Sequence, residues 1–217
     1  MKHRRWVWAL SLLLLLVACG DANAGEAIDL RDLNLGMSVA SIPSEEYINL
    51  ACAEKEGAKL AGWSEFRTCP ADEMGLRGIS FRFNDEVNPL AALSDKYQGT
   101  KLGGHPVLLT GLVDSSGALQ GIRIDTDPNA RLFWRKKAYL LALSVRARYG
   151  EAGWMCREAE SYDGENPVGG LIIKEHCEKR SERRHLILDR ELYRRASQPL
   201  SDFVNATHLV IEQTTDR

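Results

Sequence analysis

The sequence predicts an α+β fold: antiparallel β-hairpins and a meander packed on a few helices, in two loosely similar α+β halves, each closed by its own disulfide. Three observations carry that expectation. Val107 to Val113 and Ala118 to Asp125 are strand-like runs flanking Asp114-Ser115-Ser116-Gly117, whose small polar residues and final glycine suit a four-residue hairpin loop. A single strong helix signal follows, from about Pro128 to Tyr149. Beyond Trp154 the chain breaks into short alternating runs separated by turn residues. At 217 residues, 44% hydrophobic and 27% charged, the composition suits one globular domain or two small ones and excludes both an integral membrane bundle and a disordered tail.

At the N-terminus, Lys2, His3, Arg4 and Arg5 precede Trp6 to Ala18, a mostly apolar run without one charge. This is an export signal, too short for the roughly 20 apolar residues that a spanning helix needs. The run ends in Leu16-Val17-Ala18-Cys19, which resembles the lipobox of bacterial lipoproteins. The resemblance implies removal of residues 1–18, a diacylglycerol on the Cys19 thiol and an acylated amino terminus, so that palmitate-like chains hold the protein on a membrane at about 0.8 kcal/mol per buried methylene. Gly20 rather than Asp follows the cysteine, which by the same resemblance points to the outer membrane and the periplasmic face of the bacterial envelope. A competing small-x-small site at Ala22-Asn23-Ala24 would instead release a soluble periplasmic protein.

The expected organisation is a signal peptide over 1–18, a lipidated tether over 19–27, a first α+β half over 28–126 and a second over 127–217. In the first half Ser38 can cap a short helix limited by Pro43, and Ser44 can restart one through Glu45, Glu46, Tyr47, Ile48 and Leu50. Gly78 to Phe83 alternates so that Ile79, Phe81 and Phe83 share one strand face, with Arg82 toward water. Leu90 to Tyr97 reads as a further short helix, ahead of the hairpin. In the second half Asp127 is the expected N-cap, Pro128 the first helical residue and Gly150 the stop, with Arg146 and Arg148 suited to the negative end of the dipole. The expected meander runs through Trp154 to Glu160, Leu171 to Lys179, Arg183 to Arg190 and His208 to Gln213.

Of five cysteines, Cys19 is lipidated or discarded, leaving Cys52, Cys69, Cys156 and Cys177 in an oxidising compartment where disulfides persist. Among three connectivities, Cys52–Cys69 and Cys156–Cys177 are expected, because each pair brackets a compact segment and the pairs lie far apart. Each would close a loop worth about 3 kcal/mol on the chain-entropy account. The rival four-thiolate metal site normally shows C-x-x-C spacing, which does not occur, so neither a metal nor any other cofactor is expected. A faint internal repeat orders each half as helix, cysteine, second cysteine, strand.

No catalytic set is complete. His105, His176, His185 and His208 have no H-E-x-x-H spacing, and Gly62-Trp63-Ser64-Glu65-Phe66 lacks the closing glycine of a nucleophile elbow. Charge is more informative: residues 20–130 hold 9 basic and 17 acidic side chains, and residues 131–200 hold 15 and 10. Lys179, Arg180, Arg183, Arg184, Arg190, Arg194 and Arg195 form a candidate patch for an anionic partner such as lipid phosphate or an acidic protein, although Glu178, Glu182, Asp189 and Glu191 interleave it. Loss of the leader leaves 25 basic against 30 acidic residues, which argues against nucleic acid. Gly36-Met37-Ser38 and Tyr149-Gly150-Glu151-Ala152 resemble pieces of the SmpA/OmlA (BamE-like) small envelope lipoproteins. That resemblance implies helices on an antiparallel sheet and a scaffolding role. The expected function is a non-enzymatic, membrane-anchored envelope lipoprotein with an envelope protein as partner. A periplasmic inhibitor of a lysozyme or protease, and a hydrolase with an unrecognised site, are the alternatives.

Overall fold

Alternating and β-branched runs build most of this protein. The computed structural model describes residues 29–53, 58–84, 99–199 and 201–214. The leader, Cys19, the tether over 19–27 and the helix expected over Leu90 to Tyr97 lie outside the described residues. Among the described residues ten strands occur: β1 Tyr47–Cys52, β2 Arg77–Phe83, β3 Thr100–Leu102, β4 His105–Val113, β5 Leu119–Thr126, β6 Met155–Glu158, β7 Glu165–Asn166, β8 Ile173–Arg180, β9 Arg184–Arg195 and β10 Val204–Gln213. They form one antiparallel sheet in the order β1-β2-β4-β5-β10-β9-β8-β6, with β3 beside β4 and β7 beside β9. Two α-helices, α1 Leu132–Arg135 and α2 Leu141–Tyr149, accompany several short 3-10 turns. The architecture is the expected antiparallel α+β mixture.

The order of the strands joins the two halves. β10 sits between β5 and β9, pairing Ile211 with Ile122 on one side and with Leu186 on the other. One contiguous core runs from Leu30 and Leu33 through Ile79, Leu109 and Ile122 to Leu188, Leu209 and Ile211. Trp63 packs against Gly111, where an added Cβ would come within 3.1 Å of its ring. Tyr47 and Phe81 pack against the same indole at ring separations of 5.9 and 5.2 Å.

The expected hairpin forms between β4 and β5, and Asp114 organises it. Its Oδ1 accepts from Ser116 N at 2.8 Å, Ser116 Oγ at 2.6 Å and Ala118 N at 3.0 Å, while Oδ2 accepts from Gln120 at 2.7 Å. Burial alone would raise the Asp114 pKa, but the hydrogen bonds from Ser116, Ala118 and Gln120 together outweigh it and bring it down to about 2. Gly117 at φ +90° closes the turn, where a side chain would be strained.

Both expected disulfides form. Cys52 of β1 bonds Cys69 at the end of the 3-10 turn Trp63–Thr68, and Cys156 of β6 bonds Cys177, its direct partner on β8. Cys52 ends β1, in place of the expected helix, whereas Cys156 follows α2, so the helix-then-cysteine order of the suggested repeat holds only in the second half.

Two elements depart from expectation. Ser38 does cap the turn Val39–Ser41, accepting from Ala40 N, but the helix expected from Ser44 ends at Glu46 and Tyr47 begins β1. Pairing with β2 and burial of Tyr47 and Cys52 outweigh local helix preference there, and a bulge between Ile48 and Ala51 carries Asn49 at φ +57°. The long helix from Pro128 is broken into α1, a 3-10 turn at Ala138–Leu140 and α2. Asp127 caps only a turn, accepting from Asn129 N at 2.8 Å. The break has a visible cause in β10: Asn205 Oδ1 accepts from Tyr139 N at 2.8 Å, and Thr207 Oγ1 donates to Ala138 O at 2.9 Å. These side chains take backbone groups that a continuous helix would have paired within itself.

Candidate functional site

α2 lies across the sheet on a mixed footing. Leu141, Ala142 and Val145 are buried beneath it, while Leu143, Ala147 and Arg148 face outward. Between this helix and the sheet a cavity of about 280 Å³ remains. Its floor is Ile124 of β5 and Leu209 of β10, which are register partners. Leu141, Val145 and Tyr149 form the helical wall, Leu102 and Gly103 one side, and Leu30 the other. Gly103, at φ +54°, lies so close to α2 that a Cβ there would stand 2.9 Å from Ser144 Oγ.

Three polar groups reach this otherwise apolar space: Arg31, Ser144 and Arg148. Arg31 and Arg148 are exposed, and both belong at the rim. The Arg31 guanidinium stacks 3.5 Å from the Phe83 ring centroid, and its backbone occupies the left-handed region at φ +48°. Arg148 stands 5.7 Å from the Tyr149 ring.

The wall that carries Leu30 and Arg31 is fixed by a small polar core. Asp29, 2% exposed, accepts from Leu35 N at 2.8 Å and pairs with Arg184 Nε, while its carbonyl accepts from the Tyr149 hydroxyl at 2.6 Å. Burial raises the Tyr149 pKa, so the hydroxyl keeps its proton and donates throughout the neutral range. At the end of α2, Lys179 donates to Tyr149 O and to Gly150 O at 3.0 Å, compensating the helix dipole.

The structure divides the seven basic residues of the expected patch. Lys179 caps α2, Arg180 faces Glu178 at 3.5 Å, and Arg184 turns inward to Asp29. Arg183 occupies the β8–β9 turn. Arg190 binds Glu175 at 3.0 Å on the core side. Arg194 and Arg195 lie at the far end of β9, where Arg194 donates to Gln198 O at 3.2 Å. That end is about 36 Å from Arg184 at roughly 3.3 Å per residue. Arg31 and Arg148 at the cavity, and Asp29 behind them, escaped sequence reasoning. Arg148 was legible only as a helix-end charge, and nothing local in sequence marks Asp29 as the partner of Arg184, which lies 155 residues away.

Beside the cavity, Arg146 of α2 places Nη2 2.9 Å from Cys177 Sγ and 3.1 Å from Cys156 Sγ, and pairs with Glu175 at 3.0 Å. Cys156, Cys177 and Glu175 offer atoms within 4.8 Å of one another, a spacing a metal could use, but a guanidinium already borders both sulfurs. A cation held there is a poor setting for a second one.

The opposite face of the sheet carries a cross-strand row: Arg157, His176, Asp189, His208 and Asp125 stand in register across β6, β8, β9, β10 and β5. His176 Nδ1 is 2.6 Å from Asp189 and His208 Nδ1 is 2.7 Å from Asp125. Hydrogen bonds to Asp189 and then Glu178 raise the His176 pKa, and the bond to Asp125 raises that of His208. Glu178, bonded by His176 and His185, is held down at about 2. Both imidazoles bind protons more tightly folded than unfolded, so their contribution is complete below the ordinary value of 6.5 and is lost as pH rises through the raised values. Thermal midpoints measured from about pH 5.5 to about pH 8.5 at low salt should therefore fall above about pH 6.5, and the fall should shrink in His176→Gln/His208→Gln and in high salt.

No protein-family model, no curated protein and no solved structure matches this chain.

Proposed function

We propose that this protein is an exported, membrane-tethered binding protein of the bacterial envelope, without chemistry of its own, that takes an amphipathic anion into the cavity under α2. The observation that carries the reading is an apolar interior whose lining also includes two exposed arginines, Arg31 and Arg148. A hydrocarbon tail fills the space between Ile124, Leu209, Leu141 and Val145, and an anionic head meets Arg31 and Arg148. The cavity lining among the described residues contains no histidine, carboxylate or free thiol to activate Ser144, which favours binding over hydrolysis.

The lipobox reading supports the location. With Cys19 lipidated, the chain from Cys19 to Arg31 spans at most about 42 Å, so Arg31 stays within that distance of the membrane, where amphipathic anions are concentrated. An envelope protein remains the natural partner of such a tethered carrier or scaffold.

Titration calorimetry with decanoate tests the reading. The mature chain should bind one equivalent with Kd between about 1 and 100 µM, given about 0.8 kcal/mol per buried methylene and about 1.5–3 kcal/mol for each charged contact to Arg31 and Arg148, less a cost of association near the low end of about 4 kcal/mol. Methyl decanoate, and the variant Arg31→Glu/Arg148→Glu with decanoate, should each bind at least about tenfold more weakly. Absence of binding at about 1 mM, or equal affinity for acid and ester, would contradict it.

A further inference from the structure

We infer that the Cys156–Cys177 disulfide is a thiol-exchange site, reducible in the folded protein by a dithiol, while Cys52–Cys69 is a closed structural bridge. The inference rests on accessibility and on charge, and is independent of the cavity reading.

The two bridges differ in what a reductant can reach. Cys52 and Cys69 are 4% and 1% exposed, so neither sulfur offers a line of attack. Cys156 is exposed on β6, an edge strand all of whose four residues are exposed, whereas Cys177 is fully buried. Attack is thereby directed to one sulfur. Among the described residues β6 is paired on one side only, with β8, so its partial release leaves the rest of the sheet intact.

The charges around the buried sulfur favour its departure. Exchange proceeds fastest when the leaving thiolate is stabilised, and a neighbouring arginine lowers a thiol pKa. Arg146 Nη2 lies 2.9 Å from Cys177 Sγ, positioned to donate to the thiolate as it forms. Glu175 opposes this, but it is itself shared between Arg146 and Arg190 at 3.0 Å each, and Lys179 sits two residues along the same strand face. The local balance around Cys177 is positive.

In the first step a thiolate of the dithiol attacks Cys156 Sγ. A mixed disulfide forms, the bond between the two protein sulfurs breaks, and Cys177 leaves as a thiolate beside Arg146. The second thiol of the reductant gives its proton to solvent and attacks its own sulfur in the mixed disulfide, expelling the Cys156 thiolate. The dithiol becomes a cyclic disulfide, and the protein disulfide gains two electrons and takes up two protons as its thiols form. The reverse sequence makes the protein an oxidant for a dithiol partner. Reduction also replaces the sulfur pair beside Arg146 with separate thiols, one of them the Cys177 thiolate that Arg146 holds, so it bears directly on how α2 is held.

The test uses the mature chain under native conditions with dithiothreitol, acid quenching, and differential alkylation read by peptide mass spectrometry at all four cysteines. Cys156–Cys177 should be reduced at least about tenfold faster than Cys52–Cys69, with the far-ultraviolet circular dichroism unchanged. Arg146→Gln should slow that reduction by about fivefold or more and shift the pH at which the reduced Cys177 is half-alkylated upward, while Arg146→Lys retains most of the wild-type rate and profile. A merely structural arginine would leave the alkylation profile where it was. Equal rates at the two bridges, reduction only together with global unfolding, or an alkylation profile indifferent to Arg146→Gln would overturn the inference.

Discussion

Asp29→Ala should lower the stability of the protein by about 3–5 kcal/mol, seen as an earlier urea midpoint with little change in slope. The carboxylate is 3% exposed and its arginine partner 16%, so removal of one charge leaves Arg184 in a place that water reaches poorly. The same carboxylate satisfies Leu35 N, which would lose its acceptor. Asp29→Asn, which keeps the shape and one acceptor, should cost less than alanine. Because Leu30 and Arg31 form one side of the cavity, Asp29→Ala should also weaken decanoate binding, whereas a distant destabilising substitution should not. A loss below about 1 kcal/mol would show that the pair is solvated and that the wall is held by something else.

Ile211→Ala should cost about 2–5 kcal/mol and should do so for the whole chain at once. Ile211 is fully buried on the strand that joins the two halves, opposite Ile122 and Leu186. The core is contiguous across that seam, so the fluorescence of Trp63 in the first half, read in a Trp134→Phe/Trp154→Phe background, and the far-ultraviolet signal of the entire sheet should move to one new midpoint. Two separated transitions, with the Trp63 signal left near its original midpoint, would mean that the halves fold independently.

Sequence made part of this legible, and the boundary has a physical origin. Elements defined by their own residues were readable: the Asp114 hairpin, the Ile79–Phe83 strand face, the meander after Trp154 and both cysteine pairings. Elements decided by a distant partner were not. Tyr47–Cys52 has a helix start signal before it, yet β2 recruits it into the sheet. The segment after Pro128 has caps at both ends, yet Asn205 and Thr207 from β10 interrupt it at Tyr139 and Ala138. The basic residues grouped along the sequence separate because a strand of 12 residues places its ends far apart, and two of them turn inward to Asp29 and Glu175. The cavity was invisible for the same reason: its lining comes from the N-terminal segment, β3, β5, α2 and β10, and no window of sequence contains it.

The most direct measurement of the central claim is a map of methyl and arginine side-chain NMR shifts on isotope-labelled mature protein titrated with decanoate. The account predicts saturable changes at the Leu102, Ile124, Leu141, Val145 and Leu209 methyl groups and at the Arg31 and Arg148 guanidinium groups, with the His176–Asp189 face of the sheet unmoved. Changes spread over the outer sheet face or around Arg194 and Arg195, with the Ile124 and Leu209 methyls unaffected at saturation, would contradict it.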